Sequence, residues 1–363
     1  MLQQLMSNLT VISIFAFVNS FLLVYYIIPK ISWVIITRKL NDKPDSRSSH
    51  TTSTPTMAGV SFFITLIMTM FFIQYFDTEN IGLNLIASST LIFMVGVKDD
   101  LVISSPSAKL IMEALATMFL FFNSAMEVTT LHGFLGIYEI PEIISYIGSI
   151  LVVITIINAY NLIDGIDGLA ASVAIVIFSV FGLMFFVLYQ YFYFLLCLSL
   201  IGMLIAYLYY NFSKKKKVFM GDTGSLLIGF CIAFLTLKFI AIDISNYNFF
   251  AFRAENGLII VAAILCIPIC DLFRVIGVRL LNGKSPFLPD RNHTHHILID
   301  NGMSHFKASM ISSFINYIVV IVFIWLATIF NSFVMLIILF MGFCLFLMLF
   351  YVLRKKIKTK KIK

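Results

Sequence analysis

Gln190 to Tyr210 reads QYFYFLLCLSLIGMLIAYLYY, and just before it Gly168 to Leu188 reads GLAASVAIVIFSVFGLMFFVL. Neither stretch holds a charge, and each is as long as the roughly twenty apolar residues a helix needs to cross a bilayer core. Similar runs recur outward in both directions, near 10–28, 57–75, 80–96, 108–125, 143–160, 223–242, 256–272, 308–329 and 331–352. With the first two they make about eleven candidate spans. The 363 residues are 60% hydrophobic and only 12% charged, with a mean hydropathy of +1.00, more apolar surface than a soluble domain can bury. The fold expected is all-α, a polytopic membrane helix bundle forming a single domain over residues 1–352, with a basic tail at 353–363. The first run, Thr10 to Ile28, is long enough to span and lacks an early basic region, so no cleavable signal is expected.

Charge sets the expected orientation. An odd number of spans places the termini on opposite sides. The tail from Arg354 to Lys363 is then cytoplasmic by the positive-inside rule, and the N-terminus external. The loops at 29–56, 97–107, 211–222 and 273–307 follow to the cytoplasmic side. They carry Lys30, Arg38, Lys39, Lys43, Arg47, Lys98, Lys214 to Lys217, Arg274, Arg279, Lys284, Arg291 and Lys307. The external loops hold mostly acids: Asp77, Glu79, Glu127, Glu139, Glu142, Asp243 and Glu255. Lys238 and Arg253 are the exceptions, near span ends where a long side chain can snorkel. The net charge of +7 therefore reports topology and not nucleic-acid binding. The five cysteines lie inside apolar runs and read as buried thiols, neither disulfides nor zinc ligands.

Carboxylates near a membrane are costly, so their placement is informative. They gather at expected cytoplasmic span ends. Asp99 and Asp100 follow the third span. Asp164 and Asp167 lie in NAYNLIDGIDGLA (158–170), and Asp222 lies in FMGDTGS (219–225). The last long loop brings Arg291, His293, His295 and His296 to the same side. Clustered carboxylates raise one another's pKa unless a cation neutralises them. Hard oxygen ligands suit Mg2+ or Mn2+, which take one or two carboxylates plus substrate phosphates. Glycines beside the acids (Gly165, Gly168, Gly221, Gly224) allow close backbone approach. Thr223, Gly224 and Ser225 open the eighth span, where free amides would hold an anion. Together these point to a metal–diphosphate site at the membrane surface.

Plainer readings stand beside these. Asp99 and Asp100 also fit a solvated turn next to Lys98, Asp164 and Asp167 fit helix-start acids, and Asp222 fits a helix cap. Lys214 to Lys217 read first as a topology anchor. Glu113, one turn after Lys109, reads most simply as half of an intrahelical ion pair.

Taken in order, the motifs resemble the polyprenyl-phosphate N-acetylhexosamine-1-phosphate transferases, the WecA/TagO-like glycosyltransferase family 4 with its MraY relatives. The segments that carry the resemblance are DKPDSR (42–47) with His50 and Pro55, Asp99-Asp100, NAYNLIDGIDGLA, FMGDTGS and SPFLPDRNHTHH (285–296). Two departures stand out: Ala58-Gly59 where the family usually has Gly-Gly, and Lys98 where an apolar residue is usual. The resemblance implies transfer of a sugar-1-phosphate from a UDP-sugar to undecaprenyl phosphate, giving UMP, in the bacterial cytoplasmic membrane with the site facing the cytoplasm. It also implies roles. Asp222 and Asn161 would hold Mg2+ or Mn2+. Phe219, Gly165, Ile166 and Asp167 would form the uridine pocket. Asp99 and Asp100, with Lys98 and Lys109 nearby, would lie beside the lipid phosphate. Arg291, His293, His295 and His296 would face the sugar diphosphate, and Asp164 would belong to the catalytic acids. The partners implied are the UDP-sugar, undecaprenyl phosphate and the bilayer; a homodimer stays open.

Two other classes compete. A multispan transporter would want charges or broken helices at the bilayer midplane, whereas these acids gather at one face. CDP-alcohol phosphotransferases also use Asp-Gly pairs but want an arginine soon after the second, where this chain has Ala170-Ala171-Ser172.

Overall fold

The computed structural model describes residues 8–38, 54–102, 105–285 and 292–362, with side chains to 357. All eleven apolar runs lie on helices. In chain order these are α1 (Leu9–Thr37), α2 (Gly59–Ile73), α3 (Gly82–Leu101), α4 (Pro106–Leu120), α5 (Glu142–Ile163), α6 (Leu169–Val187), α7 (Tyr191–Asn211), α8 (Gly221–Ile240), α9 (Gly257–Ile264), α10 (Cys266–Leu281), α11 (Thr294–Asp300), α12 (His305–Ile329) and α13 (Ser332–Ile362). Among the described residues eight helices are long and apolar enough to cross a membrane, and nine if the pair around α9 and α10, bent by 71°, counts as one. α3 and α4 are not in that set. α3 carries Lys98, Asp99 and Asp100 in its last turn, and α4 has only 15 residues, with Lys109 and Glu113 among them. One element departs from all-α: a hairpin of β1 (Thr130–Phe134) and β2 (Ile137–Glu139), pairing Thr130 with Glu139 and Phe134 with Ile137. Its two-residue turn, Leu135-Gly136, has φ of 50° and 82°, which matches the right-handed twist of the strands it joins.

α8 is the axis of the bundle. Every residue from Thr223 to Ile240 is buried, as expected of a helix that is apolar all round. α3 and α5 pack along it, α2 joins them, and α6 and α7 pack on each other with α1 outside α7. The outer helices keep large apolar side chains exposed, Trp33 at 68% and Phe340 at 66%, as lipid-facing residues are.

Lys238 departs from the snorkelling expectation. It is 4% exposed and makes an ion pair with Glu79 at 2.6 Å, while the Tyr193 hydroxyl donates to the same carboxylate. This pair ties the far end of α8 to the turn between α2 and α3. At that same end His132 of the hairpin hydrogen-bonds the Ile240 carbonyl at 2.9 Å.

The near end of α8 is fixed by glycine contacts. A Cβ on Gly59 would stand 2.2 Å from the Gly224 nitrogen, and one on Gly96 would stand 2.4 Å from the Thr223 Cα. Backbone meets backbone at both points, so no side chain can yield to make room. Gly96→Ala should therefore push α3 off α8 and destabilise the protein by about 1–3 kcal/mol. Gly277→Ala, with nothing within 4 Å of the added carbon, should leave stability unchanged or slightly raised. Thermal unfolding in detergent compares the two; equal midpoints would show that α3 and α8 do not need this approach.

Candidate active site

The site is organised around the first turn of α8. Gly221 has φ +72°, and Met220 at the N-cap position offers no side-chain cap. The orphan amides are satisfied from another helix. Asp100 Oδ1 accepts from the Asp222 N–H at 2.8 Å, and its Oδ2 accepts from the Thr223 N–H at 3.0 Å and from the Thr223 hydroxyl. The anion at this helix N-terminus is thus the Asp100 carboxylate. A Cβ at residue 221 would lie 2.8 Å from both Asp100 oxygens, so glycine is needed there. The segment entering α8 pairs with the one entering α2: the Phe219 N–H donates to the Pro55 carbonyl at 2.8 Å, and the Ala58 and Gly59 N–H groups donate to the Phe219 and Met220 carbonyls at 3.3 Å. This explains the Ala58 departure. Ala58 has an ordinary helical backbone, φ −57°, and only its neighbour Gly59 meets the backbone of α8.

Asp222 projects from this turn into a polar cluster. Asn161, from the end of α5, donates Nδ2 to Asp222 Oδ1 at 2.5 Å and to Ser225 Oγ at 2.7 Å. Lys109, from the first turns of α4, lies 3.3 Å from Asp99 Oδ2 and 3.9 Å from Asp222 Oδ1. Asp99 is within hydrogen-bonding reach of Asp222. Glu113 does not pair with Lys109; its Oε2 accepts from Asn158 Nδ2 at 2.6 Å. Lys98 is exposed at the end of α3 and makes no ion pair among the described residues.

The turn between α5 and α6 supplies the other face. Asp167 Oδ2 receives Lys217 Nζ at 2.6 Å and faces His305 Nδ1 at 2.9 Å. Burial raises the Asp167 pKa, but these two partners outweigh it and hold it below the usual carboxylate range. Asp164 is half-buried. Burial first, then the charges of Asp222, Asp100 and Asp167, push it up to about 7. Gly168 has φ +77° and donates its N–H to Asn211 Oδ1 at 2.6 Å. Lys217 also lies 5.4 Å from the centre of the Phe219 ring. Ile166 is buried at 5% exposure.

The histidines stand beside this turn. A Cβ on Gly165 would fall 2.1 Å from His295 Nε2, so glycine admits the imidazole. His293 Nδ1 lies 2.8 Å from Asp271 Oδ2, and Asp271 Oδ1 accepts from the Thr294 N–H at 2.8 Å and from Arg274 at 3.2 Å. His295 is 2% exposed, its Nδ1 has no partner, and burial followed by the neighbouring His296 holds its pKa well below the usual imidazole range. This environment favours the neutral imidazole. Arg291 lies outside the described residues, as do Asp42 to Arg47 and His50.

Among the described residues no three His, Cys, Asp or Glu side chains converge as a complete metal cage. The residues do fit a cation that completes its shell from substrate. Asp222 is 36% exposed with Asp99 beside it and Lys109 as the nearest ammonium. Mg2+ takes one or two carboxylates and keeps waters or phosphates for the rest. Asn161 shows its amide nitrogen to Asp222, so it would have to turn over to offer oxygen to the same ion.

Sequence reasoning missed Asp271, His305 and Asn211. Asp271 had a signal, an acid ending an apolar run with Arg274 one turn on. His305 and Asn211 had none, because their partners are remote in the chain.

The fold and these residues define a multi-pass membrane protein with an acidic site at the ends of its helices. Comparison with known proteins agrees in class. The profile of glycosyl transferase family 4 matches residues 82–240, the span from α3 through α8. The chain is 28% identical over 303 residues, 82% of its own length and 77% of the relative's, to an undecaprenyl-phosphate alpha-N-acetylglucosaminyl 1-phosphate transferase of Salmonella typhi. A protein of the same name from Haemophilus influenzae is 35% identical over 123 residues, 34% of this chain and 32% of the relative. A probable undecaprenyl-phosphate N-acetylglucosaminyl 1-phosphate transferase of Bacillus subtilis is 33% identical over 123 residues, with the same two shares. The resemblance to the WecA-like polyprenyl-phosphate N-acetylhexosamine-1-phosphate transferases, read first from the motifs, is thereby shown.

Asp164 predicts a pH dependence. Its folded pKa, about 7, lies above the ordinary 3.8, so the folded state prefers the protonated acid. That contribution is full below about pH 4 and is lost as pH rises to about 7. Asp167, with its pKa lowered, has the opposite sign and acts below about pH 4. With a chelator present, the wild-type unfolding midpoint should fall from about pH 4.5 to 7.5, and Asp164→Asn should flatten that slope. An unchanged slope in the variant would mean that Asp164 does not titrate in this window.

Proposed function

We propose that this chain transfers a sugar-1-phosphate from a UDP-N-acetylhexosamine, such as UDP-GlcNAc, to undecaprenyl phosphate, initiating a cell-surface polysaccharide. The observation that carries the reading is the meeting of Asp99, Asp100, Asp164, Asp167 and Asp222 with Lys109 and Lys217 at one end of the bundle. The names of the relatives support the same reaction. In the proposed topology eleven spans place this end at the cytoplasmic face, the N-terminus outside and the basic tail inside. The names of the relatives give the transporter reading no support.

The chemistry brings two anions together. An oxygen of the lipid phosphate attacks the phosphorus that bears the sugar, the anhydride bond to UMP breaks, and a new anhydride forms. Positive charge must quench the repulsion. Lys109 and Lys217 supply it from described residues, and Mg2+ or Mn2+ held by Asp222, with Asp99 or a turned Asn161, would supply the rest. The second proton of a phosphate monoester leaves near pH ~6, so the nucleophile is largely a dianion at neutral pH and no strong base is required. Asp100 then serves by holding Asp222 in place through the α8 amides. Phe219, at the entrance to α8 with Gly165, Ile166 and Asp167, offers a ring face to uracil.

Purified protein with undecaprenyl phosphate and a panel of UDP-N-acetylhexosamines should release UMP and form a lipid-linked sugar. EDTA should stop turnover and added Mg2+ or Mn2+ should restore it, while Asp222→Asn inserts normally and stays inactive. Full activity of that variant without added metal would remove Asp222 from the site, and no lipid product from any UDP-sugar would refute the reaction. Base stacking is worth about 1–3 kcal/mol, so Phe219→Ala should weaken UDP-sugar binding roughly ten- to hundred-fold. Unchanged affinity would place the uracil elsewhere.

A further inference from the structure

A buried carboxylate and the half-buried amide bonded to it lie one helical turn from this cluster and take no part in the reaction as written. Glu113 of α4 is 0% exposed. Its Oε2 accepts from Asn158 Nδ2 of α5 at 2.6 Å, and its Oε1 has no partner. Asn158 uses the same nitrogen to bond the Ile154 carbonyl of its own helix at 2.9 Å, so both its amide hydrogens are committed. One turn away on the two helices stand Lys109, four residues before Glu113, and Asn161, three residues after Asn158. Those two reach one atom: Asp222 Oδ1 lies 2.5 Å from Asn161 and 3.9 Å from Lys109.

We propose that Glu113 and Asn158 form a positioning clasp that sets α4 against α5, so that Lys109 and Asn161 converge on Asp222. Helices restrained only by apolar packing slide and rotate by fractions of an ångström at small cost. A hydrogen bond to a buried acceptor, costly to leave unmade, fixes their register. The convergence needs such a fix, because Lys109 comes from α4, Asn161 from α5 and Asp222 from α8. A positioning error near 1 Å at a reacting centre can cost on the order of a hundredfold in rate. Glu113 acts here as an acceptor, and its charge is not what the clasp uses.

The kinetic consequence rests on the transfer reaction proposed above; the clasp itself does not. Glu113→Ala should lower kcat roughly ten- to hundred-fold while KM for the UDP-sugar changes by less than about threefold. Glu113→Gln keeps an acceptor for Asn158 and should stay within about threefold of wild type. A second readout needs no turnover: in Glu113→Ala, freed from Asp99 and Asp222, Lys109 should react several-fold faster with an amine-acylating reagent, read by mass spectrometry, and Glu113→Gln should not change it. If Glu113→Ala does not insert, Asn158→Leu, nearly isosteric and without the donor, carries the same two measurements. Wild-type kcat and Lys109 reactivity in the truncated variant would overturn the clasp. So would a Glu113→Gln variant as impaired as Glu113→Ala, since the charge would then be what matters. If the wild type transfers no sugar phosphate, the functional reading fails, and Lys109 reactivity still decides the clasp.

Discussion

The bond on which the site depends is the one Asp100 makes across helices. A helix that starts inside a protein leaves its first amides without partners. In α8 those of Asp222 and Thr223 are filled by one carboxylate from the end of α3. Three consequences follow from that geometry. The start of α8 is fixed to α3, Asp222 is aimed away from its own helix, and glycine is required at 221 and 96, where the two helices touch. The entry segment of α2 then completes the collar by pairing with Phe219 and Met220.

The two ends of α8 solve the same problem in different ways. At the far end one acid meets one base, Glu79 with Lys238, and the pair is closed by a tyrosine hydroxyl. Such a pair, with its lysine buried, holds elements together. In the near-end cluster Asp99, Asp100, Asp164, Asp167 and Asp222 meet Lys109 and Lys217, and burial first, then its acidic neighbours, push Asp164 upward. The one-to-one pair and the carboxylate-rich candidate cluster thus differ in charge balance, although both are acid–base contacts at a helix end.

Much of this was legible in the sequence because membrane helices advertise themselves. Each of the eleven apolar runs is helical, since length and hydropathy act locally. The acidic segments were legible as a set because carboxylates at helix ends are rare enough to stand out. What the sequence did not disclose were pairings between remote residues. Asp100 could be read as a lipid-phosphate contact but not as a cap for α8, 122 residues on. Glu113 looked like a partner for Lys109 because i, i+4 spacing favours it, yet Lys109 turns to Asp99 and Asp222, and Asn158 takes its place. Lys238 looked like a snorkelling residue because Glu79, its partner, lies 159 residues away. The hairpin escaped notice because five and three residues are too few to show alternation.

The distribution of partners also says where added positive charge belongs. Asp100 is saturated by two amides and a hydroxyl. Asp167 has Lys217 and His305, and Asp271 has Arg274 and His293. Asp99 has Lys109 at 3.3 Å. Asp222 is left with a share of the same lysine at 3.9 Å and a neutral amide, and Asp164 feels three neighbouring carboxylates and no named cation. Coulomb repulsion between such groups falls slowly with distance in a poorly hydrated site. The least compensated carboxylates are therefore the ones where a divalent ion gains most. Because Asp222 is also the most exposed of the paired carboxylates, a cation drawn there would, in the transfer proposed above, meet the diphosphate without crossing the protein.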